Sequence, residues 1–433
     1  MKLKKNLFFI MCTVVGTALF MSCSNDLETD TPEAKEQGSE YVDAQVLASY
    51  DEAELDNITK VLAESGIEVP ESGETTKCFY TNQRKIVALK IQAGTNAAGG
   101  GRTVESGVLL LPSKETYNMN ATYRIHIAAP DNMFANEDVP SLIFANGISQ
   151  YLPGGALNQY YFWVQKAMTG CIVFIPDYLG FGSSKGSSLT TYGNRTFVQS
   201  SMTDLVRAAR NVLSANNYKY YADVTMTGYG YGGYVAAATA RALEVDNAIP
   251  GVSVSKLVIA DAPVNLTKTA ELVLTNAAGT TPYLLPAILL GNYNAREISQ
   301  AMLTQALKSP YNTSVHPIFN DNNGIITLNN AFPSSIYDLY TNEFIYDFGS
   351  FSPAVNSNIL AITTALSNSD IQPWRRTTTT KIIVSNNTSN GFYPIVTKEF
   401  ATKMINLSSR YYVTMETTTN SKVSFQRYIQ SCL

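Results

Sequence analysis

The sequence predicts an α/β fold, with a mostly parallel central sheet, helices on both faces and an inserted helical segment. Three observations lead there. Short apolar runs recur at Cys171–Pro176, Val224–Thr227, Lys256–Ala260 and Lys381–Ser385, and strands this continuously apolar belong to parallel sheets covered on both faces. Helical periodicity lies between them, clearest in Ser200–Leu213, where Met202, Leu205, Val206, Ala209, Val212 and Leu213 share one stripe. From Leu266 to Ser369 the strand signal vanishes and helical character takes over, which makes residues 266–369 a cap inserted between two sheet strands.

The N-terminus reads as a targeting segment. Lys2, Lys4 and Lys5 precede the apolar run Leu7 to Met21, which is shorter than the ~20 residues that span a bilayer. Residues 1–22 are therefore a signal peptide. Ser22-Cys23 resembles the end of a bacterial lipoprotein signal, which implies lipidation at Cys23; the alternative is an ordinary cleaved signal with a chance cysteine. Residues 23–48 carry Asp26, Glu28, Asp30, Glu33, Glu36, Glu40 and Asp43 against Lys35 alone. Like-charge repulsion extends such a segment, so it reads as a tether. Acidic residues just behind a lipidated cysteine resemble the export signals of some surface lipoproteins. The expectation is an exported protein at the outer membrane or cell surface.

Residues 49–70 hold a helix from Ser49 to Ala63. Ser49 and Glu52 have capping-box spacing, and Leu55, Ile58 and Leu62 fall on one face. Residues 71–265 form the first part of the core, with further strands at Lys85–Gln92, Val104–Leu111, Tyr123–Ala129 and Ser141–Ala145. Residues 370–433 return to the core and add Tyr411–Met415.

Composition removes several function classes. The formal net charge is −4, and −7 without the three signal lysines, so nucleic acid has no electrostatic footprint to bind. His126 and His316 are the only histidines. A His-rich metal site is excluded, and His-based acid–base catalysis must use one of these two. Cys171 reads as a buried thiol, while Cys78 and Cys432 could form a bridge in an oxidising compartment. No Gly-rich loop carries the Lys or downstream acid of a nucleotide site, and no cofactor is expected.

The chemistry should sit where Val224–Thr227 runs into Gly228-Tyr229-Gly230-Tyr231-Gly232-Gly233-Tyr234 and then an Ala-rich helix. Strand, sharp glycine turn and helix make the context of a nucleophile elbow. Upstream lie Glu105-Ser106-Gly107-Val108-Leu109-Leu110-Leu111-Pro112 and Ile175-Pro176-Asp177-Tyr178-Leu179-Gly180-Phe181-Gly182-Ser183-Ser184. Together and in this order, the three segments resemble the α/β-hydrolase fold and, within it, the secretory-lipase-like serine esterases. The resemblance runs from Cys78 to Leu266 and more weakly to the C-terminus.

That resemblance implies a Ser-Asp-His triad, and this chain departs from it at each position. The elbow pattern G-x-S-x-G reads Gly228, Tyr229, Gly230, Tyr231, Gly232, so the nucleophile position is Gly230. The acid position falls on Asn390, before Pro394. The histidine should follow the last strand, where Asn420, Ser421 and Lys422 stand instead. The usual His-Gly of the oxyanion-side loop is Asn146-Gly147. Glycine offers no attacking atom, yet it adopts freely the positive-φ conformation that an elbow nucleophile endures.

The sequence therefore points to a lipid-anchored esterase-like protein without its triad, which binds an unknown small or hydrophobic ligand or a surface partner. The expected pocket residues are Asn146, Gly147, Asp177, Tyr178, Tyr192, Tyr229 and Tyr231, with the apolar cap segment Tyr283–Leu290 above them. The alternatives are an ester or peptide hydrolase working through other residues, and an interaction protein whose outer surface matters.

Overall fold

The computed structural model describes residues 42–64, 85–113, 121–131, 133–135, 138–148, 158–275, 281–320, 323–350, 355–386 and 393–432. Nine strands form one sheet: β1 (Val42–Tyr50), β2 (Ile86–Asn96), β3 (Arg102–Pro112), β4 (Tyr123–Ala129), β5 (Cys171–Pro176), β6 (Tyr220–Tyr229), β7 (Val254–Ala260), β8 (Thr379–Ser385) and β9 (Val413–Thr418). Their order is β1-β2-β3-β5-β4-β6-β7-β8-β9. The first three strands and the β3–β5 pairing are antiparallel. From β5 to β9 every pairing is parallel.

The apolar strings divide by the alternation of side chains along a strand. Ile172, Phe174, Leu257 and Ile259 enter a core with α4 (Arg195–Ala215) and α5 (Tyr231–Glu244). Val173, Ile175, Val258 and Ala260 point the other way. There they meet α1 (Glu52–Glu64), α2 (Pro140–Asn146), α3 (Asn158–Met168) and the C-terminal α15 (Ser421–Cys432). Burial on both sides is why these strands read as unbroken apolar runs.

Four sequence expectations are corrected here. The tether was expected to reach residue 48, but Val42–Tyr50 is a strand antiparallel to β2. The acidic run stops at Asp43, and pairing satisfies the backbone groups that β2 would otherwise expose. The capping box lies two residues later than expected: Asp51 Oδ1 accepts from Glu54 N–H at 3.0 Å, and Asp51 N–H donates to Glu54 Oε2 at 3.1 Å. Ser141–Ala145, expected as a strand, is the body of α2. Pro140 at its first turn loses no helical hydrogen bond there, and a short apolar run without alternation does not distinguish strand from helix. Cys432 is a buried thiol on α15 and not half of a disulfide. Cys78, Cys23 and Asn390 lie outside the described residues.

Between β7 and β8 the described chain forms eight helices, from α6 (Leu266–Thr275) through α7 (Leu284–Asn294) and α9 (Tyr311–Asn320) to α13 (Ser357–Ser369). Leu285, Ile288, Leu303, Phe344 and Ile362 are buried in the same core as α4 and α5. The α14 helix (Tyr393–Leu407) then returns the chain to the sheet. One carboxylate closes both ends of the insertion: Asp370, just after α13, accepts the N–H groups of Leu266 at 2.6 Å and Thr267 at 3.1 Å. Burial pushes its pKa up to about 6.

A carboxyl whose folded pKa exceeds its unfolded one binds more protons in the native state across the window between them. Stability therefore falls as pH rises from about 4 to 6, by up to about 3 kcal/mol from this group. Urea midpoints measured at pH 4 and pH 6 should show that slope, and Asp370→Asn, which keeps the Oδ1 acceptor, should reduce it.

Candidate functional site

Parallel registers align five strand ends. Ala129 pairs with Gly228, Tyr229 with Ala260, Ala260 with Ile383, and Ser385 with Thr418. One or two residues beyond these pairs stand Asp131, Gly230 and Asp261, with Ser385 at the end of β8 and Ser421 following β9. Open α/β sheets bind ligands beyond such carboxyl ends. Here a cavity of about 150 Å³ lies over the row, lined also by Tyr229, Thr281, Tyr283, Leu284, Tyr393 and Pro394.

Gly230 caps α5 with φ 56°. Its N–H donates to Ala260 O at 2.9 Å and its carbonyl accepts from Gly233 N–H at 3.0 Å. The following helix crosses the sheet closely enough that a Cβ on Gly232 would lie 2.2 Å from Ala129 O. A Cβ on Gly230 would lie 2.1 Å from Asp131 Oδ1. The same Oδ1 accepts from Tyr231 N–H at 2.9 Å. The carboxylate thus fills the space into which an elbow side chain would project. It also engages the first N–H of α5, the donor type that serves an oxyanion in acyl transfer.

The phenols of this cavity stay protonated. Burial raises the pKa of Tyr229, Tyr283 and Tyr393 above the usual tyrosine range, and the Asp261 and Asp131 charges add to the rise at Tyr229. Tyr229 Oη donates to Ser421 O at 3.4 Å, and its ring packs edge-on against Phe425. Neither histidine lines the cavity. His126 is buried on β4, with Nε2 2.9 Å from Thr227 Oγ1 and its ring against Trp163. Burial, then the Lys166 and Lys256 charges, hold its pKa well below the usual value. His316 sits in α9 against Tyr293.

Of the expected site residues, the cavity brings together Gly230, Tyr229 and Ser421. Tyr231 instead stacks on Tyr192 at 3.9 Å and meets Tyr178 edge-on at 5.6 Å. The space beside these three rings is about 20 Å³, room for little more than one water. Tyr178 donates to Pro130 O, which braces the turn carrying Asp131. Asp177 is a buried strut whose oxygens accept from Ser106 Oγ and from Ser141 N–H. Asn146 and Gly147 end α2 outside the cavity lining. Sequence reading missed Asp131 and Asp261. Their signal was positional, since each stands within two residues of the end of a parallel strand.

Comparison with known proteins agrees with this architecture. Residues 158–344 match the Secretory lipase family. No curated protein sequence matches the chain significantly. Among solved structures, a Legionella pneumophila protein provisionally assigned as a hydrolase superposes with TM-score 0.69 at 15% identity, covering 90% of this chain and 95% of its own. The rice cell wall degrading esterase LipA of Xanthomonas oryzae, in a ligand-bound form, gives 0.67 at 22%, covering 90% and 94%. Candida antarctica lipase A in its closed state gives 0.53 at 11%, covering 90% and 82%. The chain has an α/β-hydrolase fold. Within that class it is secretory-lipase-like.

Gly230→Ser should lower stability by about 2–4 kcal/mol, through positive-φ strain and the collision with Asp131. In an Asp131→Ala background that cost should shrink by more than about 1 kcal/mol. Urea unfolding of the four proteins measures it. Equal costs in both backgrounds would mean that the carboxylate does not govern this space.

Proposed function

We propose that this protein is a non-catalytic relative of the serine esterases, exported and held at the outer membrane or cell surface by lipid on Cys23, which uses the cavity over Gly230 to bind a small ligand. The observation that carries the reading is the elbow itself. Gly230 has no side chain, and the Asp131 carboxylate takes the space where one would go. In serine proteases, loss of one triad member lowers turnover by up to about a millionfold, and the residue of activity comes from binding and oxyanion contacts. Here the first N–H of α5 is already engaged by Asp131, and no protonatable imidazole lines the cavity.

Export rests on the N-terminal pattern and on the similarity to a family named for secretion. Lipid at Cys23 provides the membrane attachment. No helix among the described residues is long and apolar enough to cross a membrane.

The purified protein should neither hydrolyse p-nitrophenyl esters above background nor take a fluorophosphonate label, and Gly230→Ser alone should restore neither. Covalent labelling that maps to the cavity would overturn the reading. Cys23→Ala should move the protein from the membrane fraction to the soluble fraction of fractionated cells. Unchanged membrane association would refute the anchor.

A further inference from the structure

We propose that the cleft between the loop after β5 and helix α9 is a second ligand site, which takes a small carboxylate carried on an aromatic or aliphatic body. The inference goes beyond the reading above, since this cleft shares no lining residue with the cavity over Gly230. Its volume is about 370 Å³, within the range of about 300–1,000 Å³ common to small-molecule sites. Part of the lining is apolar. Phe134 and Phe319 are both buried, with ring centroids 5.8 Å apart, and Leu189, 39% exposed, lines the same space.

The polar lining divides into committed and free groups. Ser187 Oγ lies 2.5 Å from Thr103 Oγ1, and Ser188 Oγ accepts from Ala98 N–H at 3.0 Å. The Lys185 ammonium, the Thr190 hydroxyl and the Asn320 amide, by contrast, have no hydrogen bond or ion pair among the described residues. The loop that carries Lys185 is held from within. Ser184 Oγ accepts from Gly180 N–H at 2.9 Å and donates to Phe181 O at 2.8 Å. A bridge between Lys185 and Ser188 closes the turn at Gly186, whose φ is 78°. Such a loop presents its lysine without the entropic cost of being ordered by the ligand.

Charge decides the ligand class. Lys185 is the one charged residue in the lining among the described residues. A neutral apolar ligand leaves its ammonium without a counter-charge, and a cation is repelled. A carboxylate gains a charge-assisted hydrogen bond from Nζ, with Thr190 and Asn320 as further donors, while its apolar body covers Phe134 and Phe319. The volume is more than twice the roughly 150 Å³ that holds benzene, which suits a ring with a short chain.

Isothermal titration calorimetry on the full-length protein in non-ionic detergent tests this, with heats from detergent alone subtracted. The probes share one shape: 3-phenylpropionate, its neutral amide and 3-phenylpropylammonium. The carboxylate should bind roughly five- to tenfold tighter than the amide, and the ammonium weakest. That preference should shrink in about 0.5 M salt, which screens an exposed charge. Lys185 is exposed, so Lys185→Met should fold. It keeps the apolar stem and removes the charge, and should lower the carboxylate to the level of the amide. Leu189→Trp, at another exposed position, narrows the cleft and should weaken carboxylate and amide alike. Equal binding of carboxylate and amide, no heat from 3-phenylpropionate, or a carboxylate preference that survives Lys185→Met overturns the assignment. Binding undiminished by Leu189→Trp would put the probe outside the cleft and overturn it as well.

Discussion

The carboxylate of Asp131 leans across from the end of β4 onto the first N–H of α5, directly over Gly230. The helix N-terminus carries partial positive charge and unsatisfied donors, so an anion there is favourable. In a catalytic elbow those donors must remain available for charge that develops during reaction. Here a side chain of the same chain engages one of them in the resting state. The glycine is what permits this arrangement. Any Cβ at position 230 would collide with Asp131 Oδ1, so the bare backbone at 230 and the carboxylate over it go together.

The surroundings of the row follow from that contact. Tyr178 holds Pro130 and so fixes the turn from which Asp131 departs. Tyr178 in turn packs against Tyr231, which stacks on Tyr192, whose hydroxyl lies 3.3 Å from that of Tyr393 on the cavity wall. A chain of rings therefore links the braced turn to the lining of the cavity. The cap contributes Tyr283 and Leu284, at the start of α7, to the cavity lining. Because cap and sheet share one apolar core, the roof is built into the fold rather than laid over it. Asp370 ties the two ends of the cap together at the sheet.

Much of this was legible in residue order. The boundaries of β4 and β5 coincide with apolar runs that need no long-range information, and the glycine turn before α5 announces itself. The errors have local causes. In α2 a short apolar run carried no period, and at β1 the charges of a neighbouring segment masked an edge strand. For the site, reading by family position found Gly230, Tyr229 and Ser421 but drew in Tyr178, Tyr192 and Tyr231, whose rings satisfy one another. It passed over Asp131 and Asp261 because neither occupies a position where the serine chemistry needs a residue.

The sequence by itself determined that the turn before α5 carries no side chain at position 230, since that depends only on which residue stands there. It also determined that the sheet is buried on both faces, because the apolar strings are continuous. The tertiary structure alone decided what occupies the space beside that glycine. Asp131, Gly230 and Asp261 lie far apart along the chain. They become neighbours only through the order and register of β4, β6 and β7, which hydrogen bonds between distant segments fix.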